Sequence, residues 1–330
     1  MSGHRTLLLG QSDIARTMAL SDYIEAVEQA FKNLGAGQMA VPPVVHMPVT
    51  YGAFHVKSAS FLGDPFYVAV KVNGNFPDNP RKAGLPTIQG AIVLCDGRNG
   101  ALLAVIDSIE VTAMRTAAAT AVAAKYLARD DSTVATVIGC GIQGRVQLLA
   151  LNEVLPLRTV YAFDLDKKRR DAFVEQMPAE TGIEVVPVDS MTDGTLASQV
   201  IVTCTSSRSP FLLPEHVAPG TFIAAVGADN PDKQELHTDL MARSRVVVDL
   251  VDQCAEIGEL RHAIEARAMT RADVVAELSE LVMQSARPHV ESDAVTVFDS
   301  TGSAIQDLAT AGIIYERAKA GGIGLWMEFA

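Results

Sequence analysis

The sequence predicts an α/β protein that contains a Rossmann doubly wound parallel sheet. The stretch that carries this prediction runs from Thr133 to Asp164 and reads TVATVIGCGIQGRVQLLALNEVLPLRTVYAFD. Its apolar, β-branched run at residues 134–138 has the length of one buried parallel strand. Three glycines, a segment of helical periodicity and a second strand ending on Asp164 follow in that order. Strands and helices then continue to alternate, which is the pattern of a doubly wound sheet.

Gly139, Gly141 and Gly144 have the spacing of a dinucleotide-binding turn. In such a turn the first glycine permits the tight bend, the second lets the backbone approach a pyrophosphate, and the third lets the helix pack close to the strand. The N–H groups at the start of the helix then face the phosphate charge. Glycine clusters also form βα turns without a ligand, but here every part of the unit occurs in order, which favours the dinucleotide.

Asp164 indicates which dinucleotide the turn would bind. A carboxylate about 20 residues beyond the last glycine accepts hydrogen bonds from the ribose hydroxyls, and it repels a 2′-phosphate, so the sequence favours NAD(H) over NADP(H). The basic run that follows, residues 167–170, either softens this preference or forms a solvated first helical turn, and we favour the second interpretation.

The chain of 330 residues is long enough for two domains. A helix with Ser21 as its N-cap is expected near the start, followed by short strands that are typical of an antiparallel or mixed sheet. An alanine-rich helix over residues 108–129 joins this part to the glycine-rich unit, and a helix from Ala304 is expected to return to the first domain. We therefore expect a discontinuous α+β domain, residues 1–114 with 305–330, and a Rossmann domain, residues 115–304.

Composition restricts the partners and the compartment. The net charge is −12 with acids and bases interspersed, which argues against binding to nucleic acid or to an anionic membrane. No apolar run has the length of a bilayer span, and the first residues lack a signal-peptide pattern. The four cysteines have neither CxxC spacing nor a neighbouring HxxxH pattern, so we expect no metal site. These features predict a reduced, soluble, cytoplasmic protein.

Lys71 and Arg115 are cations in apolar surroundings. Lys71 lies in the strand sequence YVAVKVNGN, where it either faces solvent at a sheet edge or enters a polar pocket. In a pocket a lysine can bind a carboxylate, and desolvation can lower its pKa towards neutrality. Arg115 has small or apolar neighbours at helical spacing, and a buried guanidinium requires an anion. That anion is either an internal carboxylate or a carboxylate or phosphate of a ligand.

Two loops carry further candidates. Thr87 ends the turn-rich segment GLPT and either bonds a ligand or stabilises the turn. Asp229 follows an apolar strand, so it should lie at the carboxyl edge of the sheet, where ligands of open α/β sheets bind. It could hold a proton or a substrate amine, or it could serve as an ordinary turn residue, and Lys233 could equally be a surface charge.

With these residues in place, the chain resembles the ornithine cyclodeaminase/μ-crystallin family, and within it the archaeal-type alanine dehydrogenases. The resemblance covers roughly residues 70–310. The stretches that carry it are KVNGNFPDNPRKAGLPT, DSIEVTAMRTAAATAVAAKYLAR, VIGCGIQG, VGADNPDKQEL and TVFDSTGSAIQDLA.

The resemblance implies a homodimer that binds NAD(H) in its Rossmann domain and substrate in its discontinuous domain, which also dimerises. Lys71 would be the catalytic lysine that contacts the substrate carboxylate, Arg115 would bridge that carboxylate and the cofactor, and Asp229 would transfer a proton or bind the amine. The cofactor would be lined by Thr87, Arg115, Thr116, Gly139, Gly141, Ile142, Gln143, Asp164, Thr205, Val226, Gly227, Ala228, Lys233 and Ser300.

One position departs from the family pattern. After the double proline the family usually carries a cation that grips the substrate carboxylate, and this chain has Val44. His46, His55 and Lys57 are candidates to compensate, since His55 and Lys57 fall on one face of a strand. They could also bind a second carboxylate, as in an iminosuccinate-type substrate, although ordinary surface residues remain the simpler interpretation.

Three functions follow from these observations. The first is an NAD(H)-dependent imine or oxo-acid reductase, equivalently an amino-acid dehydrogenase, for a small 2-imino or 2-oxo acid such as pyruvate or iminosuccinate. The second is an ornithine or lysine cyclodeaminase, in which NAD is recycled within one turnover. The third is a crystallin-like protein that binds the dinucleotide without turnover, and the presence of Lys71, Arg115 and Asp229 argues against it.

Overall fold

The computed structural model describes residues 5–284 and 293–328 of the chain. Within these residues the strands lie in chain order at β1 Arg5–Leu9, β2 Met39–Ala40, β3 Val45–Val49, β4 Gly52–Phe61, β5 Tyr67–Asn75, β6 Ile88–Asp96, β7 Leu102–Asp107, β8 Val134–Ile138, β9 Thr159–Phe163, β10 Glu184–Pro187, β11 Val200–Thr203, β12 Arg208–Leu212, β13 Phe222–Ala225, β14 Gln234–Leu236, β15 Arg245–Val248, β16 Ala276–Glu277, β17 Thr296–Asp299 and β18 Leu325–Glu328.

The helices alternate with these strands. They lie at α1 Gln11–Ile14, α2 Leu20–Gly35, α3 Asn79–Lys82, α4 Ser108–Leu127, α5 Ile142–Asn152, α6 Lys167–Thr181, α7 Met191–Thr195, α8 Thr238–Arg243, α9 Val251–Ile257, α10 Glu259–Glu265, α11 Leu278–Val282 and α12 Ala304–Gly321. Among the described residues, none of the helices combines the length and the apolar character needed to cross a bilayer.

The chain divides into two compact units. Unit 1 comprises Met1–Arg115 and Ser303–Ala330, and unit 2 comprises Thr116–Gly302.

Unit 1 is built on an eight-stranded mixed sheet with the order β18-β1-β7-β6-β5-β4-β2, in which β3 also pairs with β4. Strands β3 to β7 pair antiparallel with their neighbours, whereas β1 runs parallel to β7. Helix α12 packs against β4 and β5 and also against α2. The fully buried Tyr23 and Phe31 on α2 contribute to this core.

The predicted N-cap of α2 is wrong. The helix begins at Leu20, one residue before Ser21, and its N-cap is Ala19. The carboxylate of Asp22 accepts a hydrogen bond of 2.8 Å from the Ala19 N–H and so supplies the acceptor at this helix end. Asp22 therefore bonds the N–H of the N-cap residue, and no N-cap side chain accepts from the first turn of the helix.

Unit 2 contains a wholly parallel eight-stranded sheet with the order β10-β9-β8-β11-β13-β17-β15-β16. Its central strands are apolar and buried on both faces, as parallel sheets between helices require. The direction in which successive strands are added reverses between β8 and β11. After β8 the chain adds β9 and β10 on one side, and it then returns to add β11 on the other side of β8. A reversal of this kind opens a crevice at the carboxyl ends of the strands. The predicted Rossmann doubly wound sheet is confirmed.

Candidate active site

In unit 1, strand register places two lysines side by side. Lys57 on β4 pairs with Lys71 on β5, and Lys71 pairs with Ile92 on β6. Residues directly opposite one another in antiparallel strands share a sheet face, so both lysines point to the face on which α12 packs. Lys71 is only 3% exposed, which excludes the interpretation as a solvated edge lysine.

A carboxylate from α12 meets Lys71 and Arg115 at this face. Lys71 Nζ lies 2.7 Å from Asp307 Oδ2 and 2.8 Å from Oδ1, and Arg115 Nε donates to Oδ1 at 3.0 Å. Arg115 Nη1 also donates to Gln306 Oε1 at 2.9 Å. Arg115 is 4% exposed and Asp307 is 1% exposed. The internal ion pair that was one of the two interpretations for Arg115 is therefore present.

Burial and charge set the protonation of this cluster. The pKa of Lys71 is lowered to about 7, chiefly by desolvation and further by the charges of Arg115 and Lys57, while Asp307 acts in the opposite direction. Burial alone would raise the pKa of Asp307, but Lys71 and Arg115 outweigh it and hold that pKa below its usual value. Lys71 can thus exchange a proton near neutral pH, which is the property required of a general acid or base.

Polar side chains form a second row beside the lysines. His46, His55 and Asn73 are paired across β3, β4 and β5, and the rings of His46 and His55 lie 4.7 Å apart between centroids. Asn73 accepts a hydrogen bond of 2.6 Å from Ser108 Oγ at the start of α4. The face around Lys71 is therefore cationic and polar, with the imidazoles next to the lysines.

Two other sequence candidates of unit 1 lie outside this cluster of contacts. Val44, in the place of the family cation, precedes β3 and is half-buried. Thr87 precedes β6, and its carbonyl accepts a hydrogen bond of 2.8 Å from the Phe76 N–H, as expected for a turn residue.

In unit 2, the three glycines have the properties that the motif requires. Gly139 adopts a φ of +103°, which favours glycine. A Cβ on Gly144 would lie 2.2 Å from the carbonyl oxygen of Gly139, so a larger residue would push α5 away from the turn. A Cβ on Gly141 would meet no atom within 4 Å, and this open space is where a pyrophosphate would approach the backbone.

Asp164 lies directly after β9 and contacts the glycine turn. Its Oδ2 accepts a hydrogen bond of 2.9 Å from the Cys140 N–H, and its Oδ1 accepts one of 2.9 Å from the Asp166 N–H. Arg169 approaches at 3.9 Å but is exposed. The cap of α6 is Asp166, which accepts from the Lys168 and Arg169 N–H groups. The carboxylate is thus held beside the glycine turn.

A buried glutamate that the sequence analysis did not single out ties two cofactor candidates together. Glu235 on β14 is fully buried, and its Oε1 accepts from the Thr205 N–H and hydroxyl at 2.6 and 2.7 Å. Its Oε2 accepts from the Gly227 N–H at 2.9 Å and from the Thr203 hydroxyl at 2.7 Å. The loops after β11 and β13 are therefore fixed at the carboxyl edge of the sheet.

The remaining cofactor candidates of unit 2 lie in several of its loops and helices. Asp229 forms an ion pair of 2.7 Å with Lys233, so neither is an isolated surface charge. Ser300 is buried, and its hydroxyl donates to Asp249 at 3.3 Å. Ile142, the first residue of α5, is 72% exposed beside the glycine turn. Of the others, Val226 donates to the Thr203 carbonyl, Ala228 is buried, Gln143 accepts from Gln147, and Thr116 lies within α4.

The sequence analysis also missed Asp307, although a signal existed. Asp307 lies in the apolar helix segment AIQDLATAGII, and a carboxylate surrounded by apolar residues needs a buried cation. Lys71 and Arg115 were recognised as cations in need of an anion, so the two observations could have been joined. The partner could not be chosen from spacing, because 236 residues separate Lys71 from Asp307.

These features define a dinucleotide-binding α/β protein with a buried lysine–arginine site. The model of the ornithine cyclodeaminase/mu-crystallin family matches residues 4–322, and the chain therefore belongs to that family. It is 35% identical to the alanine dehydrogenase of Archaeoglobus fulgidus over 98% of both chains. It is 34% identical to the iminosuccinate reductase of Paracoccus denitrificans, over 98% of this chain and 99% of that protein.

Solved structures agree with this assignment. An archaeal alanine dehydrogenase dimer with bound NAD superimposes with a TM-score of 0.94 at 35% identity, covering 99% of this chain and all of that one. The Δ1-pyrroline-2-carboxylate reductase of Thermococcus litoralis, in complex with NADH and L-proline, gives 0.93 at 34% identity over 97% and 99% of the two chains. A lysine cyclodeaminase gives 0.87 at 29% identity over 99% and 96%. The resemblance noted from the sequence motifs is confirmed.

Proposed function

We propose that this protein is an NAD(H)-dependent imine or oxo-acid reductase, equivalently an amino-acid dehydrogenase, that acts on a small 2-imino or 2-oxo acid. The observation that carries the proposal is the buried cluster of Lys71, Arg115 and Asp307, which pairs a carboxylate-binding arginine with a lysine that titrates near pH 7. The similarity to reductases and dehydrogenases over the whole chain supports it.

The residues of unit 2 fit NAD(H). Gly139 and Gly144 hold the turn and α5 together, Gly141 leaves the backbone open to the pyrophosphate, and Asp164 would accept the ribose hydroxyls. Thr205, Gly227 and Ser300 would line the nicotinamide side, since Glu235 and Asp249 fix their loops. When bound, NAD(H) supplies or accepts the hydride at the α-carbon of the substrate.

The residues of unit 1 would bind and protonate the substrate. Arg115 Nη2 and Lys71 Nζ would donate to the substrate carboxylate, because charge-assisted bonds of this kind are short and directional. Lys71 would move the proton to or from the imine nitrogen or carbonyl oxygen, since its pKa of about 7 allows both states at neutral pH. In unit 2, Asp229, which forms an ion pair with Lys233, would bind the amine.

The charges around Lys71 favour an acidic substrate over a diamine. Lys57, His46 and His55 lie on its sheet face, and Asp307 is engaged by two cations. A cyclodeaminase for ornithine or lysine has to accommodate a second ammonium group, for which this face has the wrong sign. A dicarboxylate such as iminosuccinate would instead place its second carboxylate near Lys57 and His55.

One exposed face of the unit 1 sheet is apolar. The opposite face of the β3–β5 sheet presents Val45, Met47, Val49 and Val72, all exposed in the single chain. An exposed apolar patch of paired strands is typical of a subunit interface, so we propose a homodimer formed through this face.

The four free cysteines are consistent with a reducing cytoplasm.

Steady-state NADH oxidation with a panel of acids tests the function. The panel is pyruvate or oxaloacetate with ammonia, and cyclic 2-carboxy imines, with NADPH in place of NADH as the cofactor control. We expect net NADH consumption with at least one member. Proline formation from ornithine without net NADH turnover would instead establish the cyclodeaminase.

The Lys57→Met variant tests whether the site binds a substrate with a second carboxylate. We expect this change to lower kcat/KM for oxaloacetate with ammonia more than for pyruvate with ammonia, by about tenfold, which corresponds to one charge-assisted contact. Pyruvate is the matched control, because any general effect of Lys57 on Lys71 acts equally on both substrates. Equal losses for the two acids would exclude the second-carboxylate site.

A further inference from the structure

Asp307 occupies a position that the proposed reaction does not by itself explain. It lies in the first turn of α12, whose N-cap is the Ser303 hydroxyl, which accepts from the Ile305 N–H. From there its carboxylate reaches the Lys71 ammonium with both oxygens and the Arg115 guanidinium with one. One helix turn of unit 1 thus holds the two cations that are proposed to bind the substrate.

The neighbouring Gln306 extends the same contact. Its Oε1 accepts from Arg115 Nη1 at 2.9 Å while Asp307 accepts from Nε. Two of the three guanidinium nitrogens are therefore fixed by α12, and the plane of the guanidinium is set. This leaves Nη2 as the edge of the arginine that can be offered to a ligand carboxylate.

Charge makes Asp307 more than a mechanical support. The charged groups that act on Lys71 are Arg115 from α4, Lys57 from β4 and Asp307 from α12, while β6 contributes the apolar Ile92. Arg115, Lys57 and burial all favour the neutral amine, and among the groups of the described residues that act on Lys71, Asp307 alone favours the ammonium. Without the carboxylate, Lys71 would lose its proton at a lower pH and would no longer be a cation at neutrality.

We infer that Asp307 is a positioning residue that keeps Lys71 protonated and directs Arg115 towards the substrate carboxylate. The inference rests on the proposed function, because it assigns roles in the same reaction. It adds an internal counter-ion that sets the pH range in which the site binds an acid.

Two variants test it with shifts of opposite sign. In Asp307→Asn the alkaline limb of the pH profile of kcat/KM, where Lys71 loses its proton and activity falls, should move to lower pH by about 1–3 units, the range expected for the loss of an adjacent charge. In Lys57→Met the same limb should move to higher pH, because a repelling cation is removed. Gln306→Leu is the neutral control, and it should raise KM without moving the limb.

A binding measurement separates this inference from the proposed function. Oxamate, a carboxylate probe, is titrated into the enzyme–NADH complex between pH 5 and pH 9 and followed by NADH fluorescence. In the wild type its affinity should fall as the pH rises through about 7, and in Asp307→Asn the fall should occur at lower pH. Coincident wild-type and Asp307→Asn curves would overturn the inference even if the enzyme is an active reductase.

If the proposed reductase function is wrong, the same measurements give a different result. A wild type that turns over none of the acids, yet binds oxamate with the predicted pH dependence, would contradict the reductase and leave the role of Asp307 standing. Circular dichroism and NADH affinity report whether Asp307→Asn is folded. If Asp307→Asn is not folded, Asp307→Glu is the second variant. It keeps the negative charge, so the pH at which its kcat/KM falls should match that of the wild type. A shift of this fall to lower pH in Asp307→Glu would overturn the inference.

Discussion

Lys71 shows how one residue acquires a chemical property from its surroundings. Its pKa of about 7 results mainly from burial, with Arg115 and Lys57 adding to the shift and Asp307 opposing it. A lysine in water would stay protonated throughout the neutral range. Strand β5 therefore places the Lys71 amine in a buried environment where it can gain and lose a proton near neutral pH.

Lys71→Met should abolish most of the turnover. We expect kcat to fall by about 10²- to 10⁴-fold, the contribution usual for a positioned acid or base, while the NADH dissociation constant stays unchanged because the dinucleotide turn lies in unit 2. Stopped-flow kinetics and NADH fluorescence check the two parts. Lys82→Met, at an exposed lysine of α3 that pairs with Asp78, is the control. Full activity of Lys71→Met would contradict the catalytic role of Lys71.

Asp164→Ala tests the preference for NAD(H). Removing the carboxylate should weaken NADH binding by about 10- to 150-fold, because a hydrogen bond to a charged group is worth roughly 1.5–3 kcal/mol, and it should narrow the difference in affinity between NADH and NADPH. Isothermal titration with both nucleotides measures this. Asp189→Ala removes an exposed carboxylate that pairs with Lys167, and it should leave the NADH affinity unchanged. An unaltered NADH/NADPH ratio in Asp164→Ala would contradict the ribose contact.

At the scale of single residues, the sequence was enough to identify unusual charged side chains, but not the residues that these side chains contact. Lys71, Arg115 and Asp164 stand out because a charge in an apolar strand or helix, or at the end of a strand, is unusual. Asp307 and Glu235 have the same property, but their contacts come from distant segments. Pairing across such distances depends on packing, which a single sequence does not specify.

At the scale of secondary-structure elements, the turn between β8 and α5 combines two uses of glycine that mutations can separate. Gly144→Ala should destabilise the fold by about 1–3 kcal/mol, the usual cost of overpacking, since the new Cβ would lie 2.2 Å from the Gly139 carbonyl oxygen. Gly141→Ala should leave the melting temperature unchanged, because its Cβ meets open space and its φ of −84° suits alanine.

NADH affinity completes the comparison. Gly141→Ala is expected to bind NADH weakly although it is fully folded, since its Cβ would occupy the path of the pyrophosphate. Differential scanning fluorimetry and NADH titration on the same samples give both readouts. A stable Gly141→Ala that binds NADH like the wild type would show that the phosphates do not lie against this residue.

Elements with strong periodicity could be predicted, whereas short edge elements could not. Strands β8 and β9 and the start of α12 lie where the pattern places them. Strands β1 and β18 were not predicted, because both are short; β18 lies at the edge of the sheet, and β1 lies between β18 and β7. The order of the parallel strands was also beyond the sequence, since apolar strands of similar length do not specify their neighbours.

At the scale of the whole molecule, buried carboxylates of unit 2 link stability to pH. Burial raises the pKa of Asp299 to about 7 from an ordinary value of 3.8. Between these values the folded state binds more protons than the unfolded state, so stability falls as the pH rises through this window. Glu235 and Glu259 are also buried, and burial raises the pKa of both.

Asp299→Asn should therefore make the protein more stable at pH 8 than the wild type. The wild type should lose roughly 2–3 kcal/mol through this residue between pH 5 and pH 7, given 1.36 kcal/mol per pKa unit, and the variant should not. Urea unfolding at pH 5 and pH 8 measures the difference, with Asp273→Asn, at an exposed carboxylate, as the control. An equal pH dependence in Asp299→Asn and the wild type would contradict the buried ionisation.

The proposed homodimer can be tested with a charge on the apolar sheet face. Val45→Glu combined with Val72→Glu should convert the dimer to monomers, because two carboxylates would have to be buried without partners. Light scattering after size-exclusion chromatography gives the mass. Val275→Glu, at an equally exposed valine of unit 2, should leave the mass unchanged. A dimeric double variant would place the interface elsewhere.

The alternation of β5 has an evolutionary consequence. Its odd-numbered residues, such as Lys71 and Asn73, point to the buried, reactive side of the sheet, and Val70 and Val72 point to the other side. Selection can therefore change what the enzyme recognises without disturbing the face proposed for the homodimer, as long as the strand is neither lengthened nor shortened. An insertion or deletion of one residue would exchange the two sets, so substrate preference should diverge among relatives by substitution, while the length of this strand stays constant.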